Sequence, residues 1–189
     1  MGKVYPILDD ALLEFIQKQK MFFVATAPLS AEGCVNVSPK GYESFAVLDE
    51  RTVAYLDLGG SGVETIAHLK ENGRITLMFC AFEGEANILR LSGRGEAVCM
   101  GEPGFEALLA LFPGFERARA IIRVRLDRIA DSCGWGVPFY AFQGERDQLR
   151  RWVDAKPYDE WAERRYATNA ASIDGLPGLV RPASQEERG

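Results

Sequence analysis

The stretch "DLGGSGVETIAHL", residues 57 to 69, combines three glycines, two hydroxyl residues and the opening turns of a helix. A strand-like run, "TVAYLDL", leads into it. The first N–H groups of a helix have no internal partner and its dipole end is positive, so an anion is stabilised there. Ser61 and Thr65 add hydroxyl donors, and the three glycines let the backbone come close. The chemistry this suits is the holding of a phosphate. The same residues also suffice for a tight turn capped by Ser61, and taken alone the stretch favours that plainer reading.

Better-known phosphate and catalytic signatures do not fit. A dinucleotide turn needs a third glycine where Thr65 stands, and the next strand follows too soon for that fold. A Walker loop ends in Gly-Lys-Ser/Thr, where this chain has Glu64-Thr65. The serine-hydrolase elbow needs a glycine where Val63 stands, and the sole histidine, His68, lies on the same helix as the turn. Four cysteines (Cys34, Cys80, Cys99, Cys133) without a CxxC pair argue against a zinc site and read as free, buried thiols.

Several elements must position this turn. "DDALLEFIQK" sets Leu12, Leu13, Phe15 and Ile16 on one face behind an acidic start and predicts a helix. "KMFFVATA" and "CVNVSPKG" predict a hairpin, and "SFAVLDERTVAYLDL" predicts two strands around Asp49-Glu50. "GVETIAHLKENG" is a helix ending at Gly73. "RITLMFCAF" and "NILRLSGRGEAVCM" are strands, with one of Met78 and Phe79 inward. "EPGFEALLALFPG" predicts a helix. "RAIIRVRLDRIADS" predicts a strand with a wet or partner-facing arginine side, fit for an interface or a charge-guarded edge. "ERDQLRRWVDA" and "YDEWAERRYATN" predict two further helices. Strands that follow one another by short turns imply an α+β chain built on an antiparallel, barrel-like sheet with peripheral helices. The whole of 1–189 reads as one domain, with C-terminal helices and an irregular tail from about residue 145, the last few residues mobile.

The totals bound the function. The chain has 189 residues, 47% hydrophobic and 26% charged, as expected of a soluble globular domain. A net charge of −5 gives no support to a nucleic-acid partner. No apolar run approaches the roughly 20 residues of a membrane helix, and no signal peptide is evident. A cytoplasmic protein is expected.

The ordered set "VNVSPKG" (35–41), "VAYLDLGGSGVETIAHLKENGRITLMF" (53–79) and "NILRLSGRGEAV" (87–98) resembles the pyridoxamine 5′-phosphate oxidase-like family. The match covers roughly the first half of the chain. It implies an FMN-binding split β-barrel and a homodimer with flavin at its interface. By that resemblance Ser38, Lys40, Leu56, Asp57, Ser61, Gly62 and Thr65 contact the flavin, with Arg74 or Arg90 assisting the phosphate. An acid at Asp57 departs from the family's hydroxyl residue and opposes a phosphate, as does Glu64. Asp57 is therefore expected to cap the turn or meet the ring N–H, and Glu64 to point away or pair with an arginine. The later "DSCGWGVPFY" and "NAASIDGLPGL" look like signatures of one subgroup, with Cys133 and Trp135 as candidates to wall a substrate pocket. The family's substrate-holding arginine–histidine pair is missing, so the small-molecule substrate is open and no catalytic residue is assigned. Relatives of the same barrel take F420 or haem; haem would need His68 as its ligand. A flavin carrier without turnover, or a dimer with an empty pocket, are the non-enzymatic alternatives.

Overall fold

The computed structural model describes residues 2–182. Its elements, in order, are β1 (Val4–Tyr5), α1 (Asp10–Lys18), β2 (Phe22–Thr26), β3 (Asn36–Lys40), β4 (Phe45–Asp49) and β5 (Thr52–Asp57). Then come α2 (Glu64–Asn72), β6 (Arg74–Cys80), β7 (Ile88–Cys99), α3 (Phe105–Leu109), β8 (Ala120–Ser132), α4 (Gln148–Asp154) and α5 (Tyr158–Thr168). Every strand pairing is antiparallel, in the order β3-β2-β6-β7-β8-β5-β4, with β1 added to β8. The α+β class read from short turns between strands therefore holds.

The sheet rolls without closing its hydrogen bonds. β2 and β4 lie near opposite ends of the strand order, yet Phe22 and Phe45 meet edge to face at 5.4 Å. Phe22 also packs on Tyr55 of β5 and Phe79 of β6, and Phe45 on Phe79. Aromatic edge contacts of this kind add to the burial of the rings themselves. They seal the roll from inside with side chains where the strand order leaves no hydrogen-bonded closure, as in a split barrel.

Local sequence explains the pieces. Asp9 caps α1, its carboxylate accepting from the Leu12 N–H at 3.0 Å, and Leu12 and Ile16 turn inward. In β2, Phe22, Val24 and Thr26 are buried in strict alternation. α2 ends at Gly73, whose φ of +69° is the left-handed cap that glycine adopts without steric cost. α2 lies against β7, β2 and β6. Phe79 is the inward member of its pair, and Met78 is half-buried.

Three expectations are corrected. The segment around "EPGFEALLALFPG" forms a helix of only five residues, because Pro103-Gly104 and Pro113-Gly114 crowd it from both sides. The arginine-rich β8 is not an edge: it lies between β7 and β5, with Arg123 and Arg125 exposed and facing Glu96 and Asp127. Only Cys80 and Cys99 are buried; Cys34 and Cys133 are exposed. Residues 169–179 of the irregular tail turn back on themselves, bridged at Ala171 and Pro177, with Leu179 N–H donating to Asn169 O at 2.7 Å. The two-residue β1 had no periodicity to announce it. The expected mobility of the last few residues concerns 183–189, outside the described residues.

If the aromatic seal holds the roll together, Phe22→Ala destabilises the chain by about 3–5 kcal/mol. A urea titration of both proteins reads this directly, and a loss under about 1 kcal/mol would mean that the seal is dispensable.

Candidate functional site

The end of β5, the glycine turn and the end of β3 enclose a cleft of ≈ 390 Å³. That lies in the lower range of small-molecule sites. Ser38, Lys40, Leu56, Asp57, Ser61, Gly62 and Thr65 all line it, so seven of the expected cofactor residues come together on one chain. Antiparallel pairing is the reason. β2–β3 pairing sets Ser38 opposite Val24 and Lys40 opposite Phe22, which turns the end of β3 toward the start of α2.

Among the described residues, several donors in the cleft have no protein partner. The Ser38 Oγ is buried and makes no hydrogen bond. Ser61 is exposed and does not cap α2; the cap position is Val63, which has no side-chain bond to offer. The Ser61 hydroxyl is therefore free for a ligand. The Thr65 Oγ1 accepts from the Asn36 Nδ2 at 3.1 Å, and the same amide donates to Thr26 Oγ1 at 3.2 Å. An unpaired buried hydroxyl, a lysine and the open end of a helix match what a phosphorylated polyol presents.

Asp57 does not oppose that anion, because it is already paired. Arg119, at the entry to β8, grips it bidentately at 3.0 and 2.9 Å. Both are almost fully buried, at 2% and 3% exposure. Burial pushes the Asp57 carboxyl up, but Arg119, Lys40 and the Gly59 N–H outweigh it and hold it at about 2. The Gly59 N–H donates to Asp57 Oδ1 at 3.2 Å, so the expected turn-capping role is realised. Glu64 does not point away as expected: it lines the cleft with its carboxylate folded back against Gly62, and it accepts from the Ile173 N–H at 3.3 Å rather than pairing with an arginine.

The remaining candidates lie elsewhere on the same chain. Arg74 is held by Asn72 and the Pro28 carbonyl. Arg90 donates to Ser132 Oγ. Neither lines the cleft. Cys133 and Trp135 follow the far end of β8, roughly 40 Å of strand from Arg119. Both are exposed, Trp135 to 86%. His68 is fully buried with its Nδ1 3.0 Å from Thr26 Oγ1, and it does not border the cleft. Burial lowers its pKa, although Asp174, Glu64 and Glu71 pull the other way. This placement gives no support to a haem ligand.

Sequence reasoning missed Arg119, Arg165 and Asn169. Arg165 Nη1 donates to the carbonyls of Gly59 and Gly60, and Asn169 Nδ2 to Ser61 O. Arg119 Nη1 donates to Gly62 O and to Asn169 Oδ1. The available signal was "NAASIDGLPGL", which begins at Asn169.

The family model for pyridoxamine 5′-phosphate oxidase matches residues 8–158. A curated relative, the pyridoxamine 5′-phosphate oxidase family protein ustO of Aspergillus flavus, is 36% identical over 192 residues, covering 93% of this chain and 77% of the relative. Among solved structures, Group A Streptococcus HupZ superposes with a TM-score of 0.54 at 22% identity, covering 70% of this chain and 98% of that one. A Lactobacillus delbrueckii protein described as a candidate pyridoxamine 5′-phosphate oxidase gives 0.52 at 18% identity, over 67% and 98%. At those identities the two structures speak for the fold alone.

The Asp57–Arg119 pair makes stability depend on acid in a defined way. The Asp57 pKa is held at about 2, against about 3.9 when unfolded, so its contribution is complete above about pH 4. As pH falls from 4 to 2 the unfolded state takes the proton first, and about 2 kcal/mol is lost. Asp57→Asn leaves Arg119 buried without its partner and costs about 3–5 kcal/mol at pH 7. Urea unfolding at pH 7, 4 and 2.5 is expected to show the gap between wild type and variant shrinking toward acid. A gap independent of pH would show that Asp57 is not held ionised by Arg119.

Proposed function

The chain belongs to the pyridoxamine 5′-phosphate oxidase family, and from that premise we propose that it is a cytoplasmic, homodimeric flavoprotein that uses FMN as an oxidoreductase on a small-molecule substrate. The observation that carries this reading is the cleft itself. It gathers unpaired donors at a glycine turn, beside a lysine and an orphaned serine hydroxyl. When bound, FMN would supply the electron-transfer chemistry that no side chain here provides.

The chain's own residues bind and orient. Ser61, Thr65 and the N-terminal end of α2 meet the phosphate. Lys40 adds a charge-assisted contact, and the Ser38 Oγ donates to the ligand. Leu56, 1% exposed, supplies an apolar wall. Asp57 stays with Arg119 rather than reaching the ring.

A second copy completes the reading. Trp135, Phe139, Tyr140 and Phe142 are all exposed in a segment that hangs on the β6–β7 turn through Tyr140 N–H to Phe82 O and Phe142 N–H to Glu83. So many exposed aromatics in one stretch suit an interface. Cys133 and Trp135 would then wall a partner's cleft rather than their own. The true pyridoxamine phosphate reaction is not proposed, since the sole histidine is buried away from the cleft.

Titration with FMN tests the assignment. Ser61→Glu and Lys40→Glu are each expected to weaken FMN at least about 100-fold while leaving the circular dichroism unchanged. Full FMN retention by Ser61→Glu would remove the phosphate from this turn. Reduction of the bound flavin by NAD(P)H, with reoxidation by an acceptor, separates an enzyme from a carrier. Uptake of F420 in place of FMN would move the chain to the deazaflavin branch. Sedimentation is expected to give a dimer, and a monomer at micromolar concentration would overturn the shared site.

A further inference from the structure

Four consecutive carbonyls of the glycine turn face one way. Gly59 O and Gly60 O accept from Arg165 at 3.4 and 3.2 Å, Ser61 O from Asn169 at 3.4 Å, and Gly62 O from Arg119 at 2.7 Å. In a trans peptide the carbonyl and the next N–H point in opposite directions. The N–H groups of Gly60, Ser61, Gly62 and Val63 therefore point away from these side chains. Among the described residues none of the four donates a hydrogen bond. Successive outward N–H groups form an anion-binding concavity. Gly59 has a φ of +88°, and a Cβ there would sit 3.3 Å from the Arg165 Cδ, so glycine is needed at this step.

The charges behind the turn do not balance, whereas in front of it the Glu64 carboxylate stands against Gly62. Asp57 neutralises Arg119. Arg165 is 4% exposed, and no carboxylate of the described residues lies within ion-pair distance of it. Its contacts are two long bonds to carbonyls and the face of Trp152, 4.6 Å from the ring centroid. Its Nε, like that of Arg119, is buried without a partner. A buried, unpaired charge is costly unless something compensates it. Burial, Arg119 and Arg164 all push the Arg165 pKa down, as expected for a cation short of negative charge.

The C-terminal arm keeps these groups in place. Asn169 ends α5 and is fully buried. The hairpin after it closes over Val63, where a Cβ on Gly178 would lie 2.3 Å from Asn169 O and 2.8 Å from the Val63 side chain. Lys70 Nζ of α2 also donates to Gly178 O. The barrel supplies Arg119, but Arg165 and Asn169 come only from this arm.

We propose that Arg165 and Asn169, with Arg119, are positioning residues that hold the Gly59–Gly62 turn as an anion nest, and that the unbalanced charge of Arg165 selects a dianionic phosphate monoester, so that the C-terminal arm makes the site prefer FMN to unphosphorylated riboflavin. The flavin half of this statement rests on the proposed function; the phosphate half does not.

The test compares FMN and riboflavin on the full chain by quenching of flavin fluorescence. Arg165→Met is expected to weaken FMN about 10- to 150-fold, the loss of one charge-assisted interaction. Riboflavin affinity should stay within about twofold. Arg165→Lys is expected to recover much of the FMN loss, and Asn169→Ala to reproduce a smaller part of it. Equal losses for both flavins would reduce Arg165 to a structural support, and unchanged FMN affinity would remove it from the site; either result overturns the proposal. Inorganic phosphate titrated into ¹⁵N-labelled wild type keeps the test independent of variant folding and of flavin. Saturable shifts at the amides of residues 60–63 and at the Arg165 Nε–H are expected. Those shifts in a protein that binds no flavin would sink the flavin reading and leave the nest standing; their absence sinks the nest even if FMN binds.

Discussion

The buried pair of Arg119 and Asp57 is the constraint on which the site depends. It joins the entry of β8 to the last residue of β5, where the two strands pair at Asp57 and Ala120. It also joins both to the turn, because Asp57 takes the Gly59 N–H and Arg119 takes the Gly62 carbonyl. One ion pair therefore fixes both ends of a four-residue loop. Such a pair adds little net stability relative to apolar packing of the same volume, since desolvation offsets the attraction. Its value here lies in geometry: two strand ends and a glycine turn are held in one arrangement without closing the turn's outer face.

That arrangement accounts for an acid beside the proposed phosphate site. A free carboxylate at residue 57 would repel an anion. Paired bidentately with Arg119, it becomes part of a cluster whose remaining charge, on Arg165, is positive. In this chain Arg119 and Arg165 stand behind the loop, while Lys40 lines the cleft in front of it. The arginines behind the loop come from segments far apart in sequence, and the C-terminal arm packs back on α2.

Much of this was legible in the sequence, and the misses share a cause. Alternation gave β3 and β8, and the acidic start of α1 and the Gly73 end of α2 marked those helices, because these signals act within a few residues. The glycine turn showed itself through composition, and the resemblance brought Ser38 and Lys40 to it. Arg119 and Arg165 were invisible because an arginine's partner across 62 or 106 residues leaves no local pattern. Arg74 and Arg90 were better candidates by proximity in sequence, yet the fold commits them to Asn72, Pro28 and Ser132. Trp135 was noticed as an aromatic in a turn; the fold leaves it exposed beyond the far end of β8 and outside the lining of the cleft.

The central claim is that the turn at 59–62 exists to hold the phosphate of a flavin. The most direct test is the absorption spectrum of the protein as purified, followed by denaturation and identification of the released chromophore. A flavin spectrum with FMN as the released species is the predicted result. A colourless protein that takes up neither FMN nor F420 would contradict it, and would leave the turn as a structural corner of the barrel.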